Sequence, residues 1–349
     1  MATGVLRLVG AAELGALSAM LVAFIAHSLR VVLTARPTER RLVELRQGIV
    51  RVVGGERGLP VPTSRAGLRL SHQALEELAS SVSGNGAAWI EQAAREMGLL
   101  EQAARWCRSR RWWHRLRGVR SFGLLGGGED LVPARLGDAH PLVREAAARW
   151  VARHPSPALA EALVAMLDDP ERRCRLGAQD VLTRLGATAA EPLAAYLSRM
   201  ACPGRVLALE VASGLADARF LGPGVRAAGD PDPSVRAQAA TLLAAVAGGQ
   251  AEQALFGLLH DPSEPVRVAA THGLGVVSSW ALAPNLARQL SDPAWDVRRE
   301  AALALRRLGP AGRLYLRRAL VGPDPYAADM AHQVLDLPGA TADRADVAR

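Results

Sequence analysis

Hydrophobic residues recur at helical spacing along most of the chain, between short polar turns that contain Asp, Pro or Gly. The pattern is clear in SPALAEALVAML at residues 156–167 and in WALAPNLARQL at residues 280–290. Apolar residues spaced three and four apart form one stripe on an α-helix, and a neighbouring element must cover that stripe. The pattern therefore predicts an all-α protein made of short amphipathic helices that depend on one another.

One segment recurs six times after residue 130, at intervals of 30 or 31 residues. The copies start at Leu136, Leu167, Leu197, Ala228, Leu259 and Leu290. Eight positions after these starts stand Arg144, Arg175, Arg205, Arg236, Arg267 and Arg298, and eleven positions after each start stands an alanine. A period of this length predicts two-helix units that bury their apolar stripes by stacking on neighbouring copies.

The repeated pattern, D-P-x-x-x-V-R-x-x-A-A followed by L-x-x-L-G, resembles the HEAT repeat family over about residues 110–338. It is most similar to the short bacterial variety called phycobilisome-lyase-like. This resemblance implies a right-handed α-α superhelix, a HEAT-type solenoid, in which the turn Asp and the helix Arg hydrogen-bond between adjacent layers. The resemblance thus implies a ladder, a series of arginine–aspartate hydrogen bonds from layer to layer. It would join the six arginines above to Asp138, Asp169, Asp230, Asp261 and Asp292.

Two units depart from the pattern. In the third unit Arg199 replaces the turn Asp and Gly204 replaces the Val, which predicts a bent or weakened layer there. The last unit, at residues 320–339, has Ala328 in the arginine position, as expected of a terminal cap.

The basic stretch RRWWHRLRGVRSFGLLG, residues 110–126, can be aligned with the repeats by setting Gly126 against Gly309. Arg115 then falls in the ladder position, with Gly118 and Val119 in the paired small positions. We therefore interpret this stretch as the second helix of a first repeat. Its arginines could also contact anionic lipid headgroups or nucleic acid.

An apolar segment near the N-terminus, residues 8–33, contains LGALSAMLVAFIAHSL without a formal charge. A helix of this length would measure about 39 Å, and the hydrocarbon layer of a bilayer is about 30 Å thick. One arginine precedes the uncharged run and five follow closely, so the positive-inside bias places residues 36–349 in the cytoplasm. We expect a single-pass protein of the bacterial inner (plasma) membrane. A cleaved signal peptide and a buried or interfacial helix are the alternatives.

The segments outside the repeats are assigned from their composition and spacing. We expect helices at about residues 65–82 and 86–106. The predicted order is a transmembrane helix at 8–33, a basic amphipathic helix and linker at 34–64, a helical N-terminal cap or degenerate repeats at 65–109, the repeat array at 110–339, and a disordered tail at 340–349.

Charge and cysteine content change this picture little. All 42 basic residues are arginine, and the net charge of +8 arises in residues 1–120, which hold 18 arginines against 9 acids. A high-GC genome explains an arginine- and alanine-rich chain more simply than phosphate binding does. Cys107, Cys174 and Cys202 lack the spacing of a zinc site or a disulfide framework, which favours a reducing compartment.

Motifs of catalysis are missing from the sequence. It has no P-loop, no G-x-G-x-x-G and no G-x-S-x-G, and without a His-Glu dipeptide it lacks the paired iron site of hydroxylating relatives of this fold. We therefore expect no catalytic residues, cofactor or metal, and a scaffold or adaptor that binds proteins, a membrane-associated enzyme being one candidate partner.

Two alternatives come from other functional classes. One is a HEAT-like protein that binds or modifies nucleic acid. The nearly neutral repeat region and the small number of aromatic residues argue against it. The other is a chromophore lyase or enzyme-maturation factor, which only the repeat subtype suggests.

Overall fold

The computed structural model describes residues 43–44, 47, 62, 64–79, 85–197, 202–277 and 280–337, and every regular element in these ranges is a helix. The chain divides into two compact units, Met1–Val132 and Pro133–Arg349. Across the ranges described, no helix is both long and apolar enough to cross a bilayer. The segment 8–33, most of 34–64 and the tail 340–349 lie outside these ranges.

The first unit contains four helices between residues 64 and 125. They are α1 (Arg65–Ala79), α2 (Asn85–Glu96), α3 (Leu99–Cys107) and α4 (Trp112–Leu125). The expected single helix over 86–106 was wrong, because Gly98 has φ of 70° and divides it into α2 and α3. A left-handed residue ends an α-helix, and glycine adopts that conformation without a steric penalty.

Close packing of α3 against α4 organises the core of the first unit. A Cβ on Gly118 would lie 2.6 Å from the Cys107 backbone nitrogen, so only glycine fits there. His72 is buried and hydrogen-bonds to Ser121 of α4 over 2.8 Å. One arginine of α4 makes a contact within the unit, because the Arg117 guanidinium lies 4.1 Å from the ring centroid of Trp106.

The second unit is a succession of two-helix repeats. Its helices are α5 (Pro141–Val151), α6 (Pro157–Met166), α7 (Arg172–Leu185), α8 (Ala187–Tyr196), α9 (Cys202–Leu215), α10 (Leu221–Ala227), α11 (Pro233–Val246), α12 (Gly249–Leu258), α13 (Glu264–Val277), α14 (Ala283–Arg288), α15 (Trp295–Arg307), α16 (Pro310–Leu320) and α17 (Pro325–Leu335). The stretch 280–290 is less regular than its apolar pattern suggested, because 3₁₀ turns at Trp280–Leu282 and Gln289–Ser291 flank α14.

The second helix of each repeat packs against the second helix of the next, from α5 through α7, α9, α11, α13 and α15 to α17. The alanine eleven positions after each repeat start lies in this contact. These residues, Ala147, Ala178, Ala208, Ala239, Ala270 and Ala301, are all fully buried. Small side chains let the helix backbones approach closely, which is why the position does not carry Leu or Ile.

Four second helices end at the same repeat position in a left-handed residue. Gly186 and Gly309 occupy it after α7 and α15, with φ of 58° and 67°. Alanine occupies it after α9 and α11, as Ala216 and Ala247, with φ of 49° and 56°. Ala247 has ψ of −176°, a combination that is costly for any residue with a Cβ.

Replacing Ala247 by glycine is expected to stabilise the protein. The substitution removes a backbone strain of about 1–3 kcal/mol in the folded state. Glycine also raises the entropy of the unfolded chain, which reduces the net stabilisation by about 0.4–1 kcal/mol. Ala245→Gly, at an exposed helical position of α11, is the matched control and should destabilise by about 0.5–1 kcal/mol. Chemical unfolding of the full chain measures both variants. If Ala247→Gly and Ala245→Gly destabilise the protein equally, the backbone of Ala247 is not strained in the folded state.

Candidate functional site

The turn before each second helix is built around an aspartate. Its Oδ1 accepts the backbone N–H of the residue two positions on, which satisfies a donor that the following helix leaves open. These bonds run to Asp138 from His140 (3.0 Å), to Asp169 from Glu171 (2.8 Å), to Asp230 from Asp232 (2.9 Å), to Asp261 from Ser263 (2.8 Å) and to Asp292 from Ala294 (2.8 Å). The aspartate therefore stabilises its own turn, independently of any contact with an arginine.

The arginine of the following helix returns to the same turn through Nη1. In Arg236, Nη1 donates to the carbonyl oxygens of Asp230 (2.9 Å) and Pro231 (3.0 Å). Matching pairs of bonds hold Arg115, Arg144, Arg175, Arg267 and Arg298 to the carbonyls six and five residues before them. One edge of each guanidinium is thus fixed by its own repeat.

The opposite edge of the guanidinium reaches the aspartate of the next repeat, 25 residues further on. Nε and Nη2 bind the two carboxylate oxygens in a bidentate arrangement, the geometry in which arginine pairs best with a carboxylate. The distances are 2.7 and 2.8 Å for Arg144 with Asp169, 2.6 and 2.8 Å for Arg236 with Asp261, and 2.8 and 2.9 Å for Arg267 with Asp292. We call this series the ladder.

The carboxylates of the ladder are largely removed from water. The Asp261 side chain is 6% exposed and that of Arg236 14% exposed. The hydrogen bond from Arg236 holds the pKa of Asp261 below its ordinary value, although burial acts in the opposite direction. The pKa of Asp169 is also lowered overall. Burial alone would raise it, but the hydrogen bonds from Arg144 and from the Glu171 N–H outweigh that effect.

The third repeat differs from its neighbours. Residues 198–201, where the repeat pattern predicts its turn and which include Arg199, lie outside the described ranges. Arg205 still reaches the next repeat, donating from Nη1 to Asp230. A Cβ on Gly204 would lie 2.9 Å from the carbonyl oxygen of Leu167, so glycine at this position lets α9 approach the end of α6 closely.

The two ends of the array use other partners. At the start, Asp138 accepts a hydrogen bond from Arg135 at 3.2 Å. At the end, Arg298 lies 5.1 Å from the ring centroid of Tyr326, and its charge helps to lower the pKa of Asp324, after a larger contribution from a Ser291 hydrogen bond. The repeat alignment missed Asp324, although its D-P dipeptide at 324–325 is a visible signal of the final turn.

An open cavity beside α16 and α17 is lined by further arginines, including Arg313 and Arg317. Arg306, also in its wall, donates to the carbonyls of Val334 (3.2 Å) and Leu337 (3.1 Å) and so fixes the end of α17. Among the residues described, no group of three His, Cys, Asp or Glu side chains could hold a metal ion.

Residues 223–306 and 253–335 match the family model of HEAT repeats. Residues 223–335 therefore contain HEAT repeats, and the described part of the second unit is an all-helical solenoid of the HEAT/armadillo kind. A chain of the Kap95:Nup1 complex superposes with a TM-score of 0.54 at 12% identity, and the alignment covers 85% of this chain and 45% of that one. At this identity the likeness describes the fold alone. Among curated proteins, no sequence matches this chain.

Two structures with lower TM-scores carry the names of enzymes. The complex of CpcE and CpcF of phycocyanin lyase from a Nostoc species aligns over 59% of this chain and 93% of that one, with 18% identity and a TM-score of 0.37. Human deoxyhypusine hydroxylase aligns over 87% and 98%, with 22% identity and a TM-score of 0.31. Superpositions this loose carry no information about activity.

The variant Arg236→Gln tests the ladder through its dependence on pH. At pH 7 it should lower the free energy of unfolding by about 1–3 kcal/mol, because the buried Asp261 loses a charged donor. The folded-state pKa of Asp261 is depressed, so its contribution is complete above the unfolded pKa of about 3.9 and disappears as the pH falls through the folded value. The difference between variant and wild type should therefore shrink below about pH 4.

Arg184→Gln is the control, because Arg184 pairs with Asp180 at 3.6 Å and both side chains are exposed. It should change the unfolding free energy by less than about 1 kcal/mol at either pH. Urea unfolding at pH 7 and pH 3 measures these differences. A pH-independent loss in Arg236→Gln would show that the charge pair does not carry the effect.

Proposed function

We propose that this protein is a membrane-anchored, non-catalytic scaffold or adaptor whose solenoid faces the cytoplasm and binds protein partners. The apolar segment 8–33 and the arginines that follow it support the anchor and its orientation. The stacked repeats support the binding role, since solenoids offer long continuous surfaces to other proteins. A membrane-associated enzyme is one class of partner that such a location would bring within reach.

Exposed aromatic residues at the C-terminal end of the array carry the proposal. Trp295 is 50% exposed and Tyr326 is 67% exposed. They lie at the first turns of α15 and α17, helices that pack against each other, and therefore occupy the same edge of the solenoid. Tryptophan and tyrosine dominate the energetics of protein interfaces when they are fully desolvated by a partner.

Arginines accompany both aromatic side chains. The Arg299 guanidinium lies 5.6 Å from the ring centroid of Trp295, and Arg298 lies 5.1 Å from that of Tyr326. Aromatic rings and arginine are the residue types most enriched at binding hot spots. Both aromatic side chains keep at least half of their surface exposed, and a bound protein would remove that apolar surface from water.

Capture from membranes tests this function. The full chain, tagged after Arg349 and crosslinked in cells, should sediment with membranes and recover a defined set of proteins after detergent extraction. The double variant Trp295→Ala and Tyr326→Ala should reduce that recovery at least tenfold while remaining folded at the assay temperature, as its melting curve shows. Leu314→Ala, which alters an equally exposed side chain on α16, is the control and should leave recovery unchanged.

Two outcomes would contradict the proposal. Equal recovery by the double variant and by wild type would remove the aromatic edge as the binding surface. Release of the full chain into the soluble fraction without detergent would remove the anchor.

A further inference from the structure

The hairpin of α3 and α4 carries an exposed surface of arginine and tryptophan that protein binding at the other end of the chain does not use. Residues 102–128 contain seven arginines and no aspartate or glutamate. In α4, Trp113, Arg117 and Arg120 are spaced four and three residues apart, so they lie on one face of the helix. All three residues are exposed, and Trp113 keeps 50% of its surface in water.

Two further arginines lie in the turn that leads into α4. Arg110 and Arg111 are both exposed, and the Arg111 guanidinium lies 5.7 Å from the ring centroid of Trp113. The turn therefore extends the basic surface of the helix around the tryptophan. We call these three residues, together with Arg117 and Arg120, the arginine face.

The arginines of this face have no acidic partner among the residues described. No carboxylate of that part of the chain lies within 4.0 Å of a guanidinium nitrogen of these four arginines. Arg117 is positioned by an aromatic ring instead, since its guanidinium lies 4.1 Å from the ring centroid of Trp106. On α1, which packs against α4, Glu76 contacts His72 over 3.2 Å.

The acids that flank the stretch in sequence lie on other sides of the hairpin. Ala103 lies on the side of α3 that packs against α4. Glu101 is two residues earlier and therefore about 200° around the helix, on the outer side. The loop before Glu129 packs against the buried side of α4, because a Cβ on Gly128 would lie 2.8 Å from Phe122. The arginine face is therefore a region of positive charge.

The tryptophan indicates which anion suits this face. Arginine binds phosphate groups in a bidentate arrangement, and an indole ring favours the boundary between lipid headgroups and acyl chains. Single-stranded nucleic acid instead stacks successive bases on several aromatic rings. Trp113 is the one exposed aromatic side chain that the structure describes in the first unit. An anionic lipid surface therefore fits both types of side chain.

We propose that the arginine face binds the headgroups of anionic phospholipids, with Trp113 at their boundary with the acyl chains, and holds the first unit against the membrane surface. The choice of a lipid surface rests on the proposed function, in which residues 8–33 anchor the chain. The 31 residues at 34–64 separate that segment from α1. Fully extended, they span at most about 110 Å, so the bilayer stays close to the first unit.

Quenching of tryptophan fluorescence by lipids tests this contact. The full chain is reconstituted into vesicles of phosphatidylcholine, alone or mixed with phosphatidylglycerol, whose brominated acyl chains quench a nearby indole. Phosphatidylglycerol should increase the quenching in wild type, and Trp113→Phe should remove most of that increase. Trp280→Phe is the control, because Trp280 is 77% exposed in the second unit and its loss should leave the increase unchanged.

Two double variants separate the arginine face from overall charge. Arg110→Gln with Arg120→Gln should reduce the phosphatidylglycerol-dependent quenching at least about threefold, because fewer guanidinium groups attract the anionic surface. Arg95→Gln with Arg184→Gln removes the same charge from side chains that are 56% and 62% exposed, and should retain most of the quenching. Melting curves show that each variant is folded at the assay temperature.

Three results would overturn the inference. They are no increase in quenching with phosphatidylglycerol, the whole increase retained in Trp113→Phe, and equal losses in the two double variants. A single-stranded oligonucleotide that changes the fluorescence of Trp113 when phosphatidylglycerol does not would assign the arginine face to nucleic acid instead.

Failure of this inference is distinguishable from failure of the proposed function. Retention of the full chain by neutral vesicles, without quenching that depends on Trp113, would keep the anchor and remove the lipid-binding face. Sedimentation only with vesicles that contain phosphatidylglycerol, accompanied by quenching that depends on Trp113, would keep the face and remove the anchor.

Discussion

The bidentate pair between an arginine and the aspartate of the next repeat is the interaction on which the array depends. The same guanidinium holds its own turn through Nη1 and the neighbouring turn through Nε and Nη2. Both side chains are largely withdrawn from water, so the loss of one partner leaves a poorly solvated charge and should cost about 1–3 kcal/mol. Apolar packing alone would tolerate small slides between helices, whereas this pair fixes their register.

Several arginines make contacts within the protein. Aspartates of the next repeat bind Arg144, Arg236 and Arg267, and the guanidinium of Arg117 lies over the ring of Trp106. Binding to another protein must therefore rely on the residues that remain exposed. In the described part of the second unit, these include Trp295 and Tyr326 at the edge formed by α15 and α17. A partner with pockets for large aromatic rings would match this edge.

Much of this architecture follows from spacing in the sequence. The 31-residue period predicted the helical pairs, and the resemblance to HEAT repeats implied hydrogen bonds between the turn aspartates and helix arginines of adjacent layers, as Arg236 makes with Asp261. Residue spacing could not predict how closely two helix backbones approach each other, nor an unusual backbone conformation at a single residue. Gly204 was recognised as a departure, but its contact with the Leu167 carbonyl exists only once α9 is packed. The strained conformation of Ala247 is likewise invisible, because alanine normally signals a helix interior.

Hydrogen exchange of the full chain, followed by mass spectrometry at increasing low concentrations of denaturant, tests the role of the ladder most directly. If the bidentate pairs couple adjacent layers, then α11, α13 and α15 should open together with one shared free energy, while α5 to α8 open separately at a lower one. The boundary should fall between Tyr196 and Cys202, because the sequence from Leu197 to Cys202 contains no acid that could pair with Arg175. Identical denaturant dependence for α7 and α11 would contradict the account, since it would show that the layers are coupled without the pair.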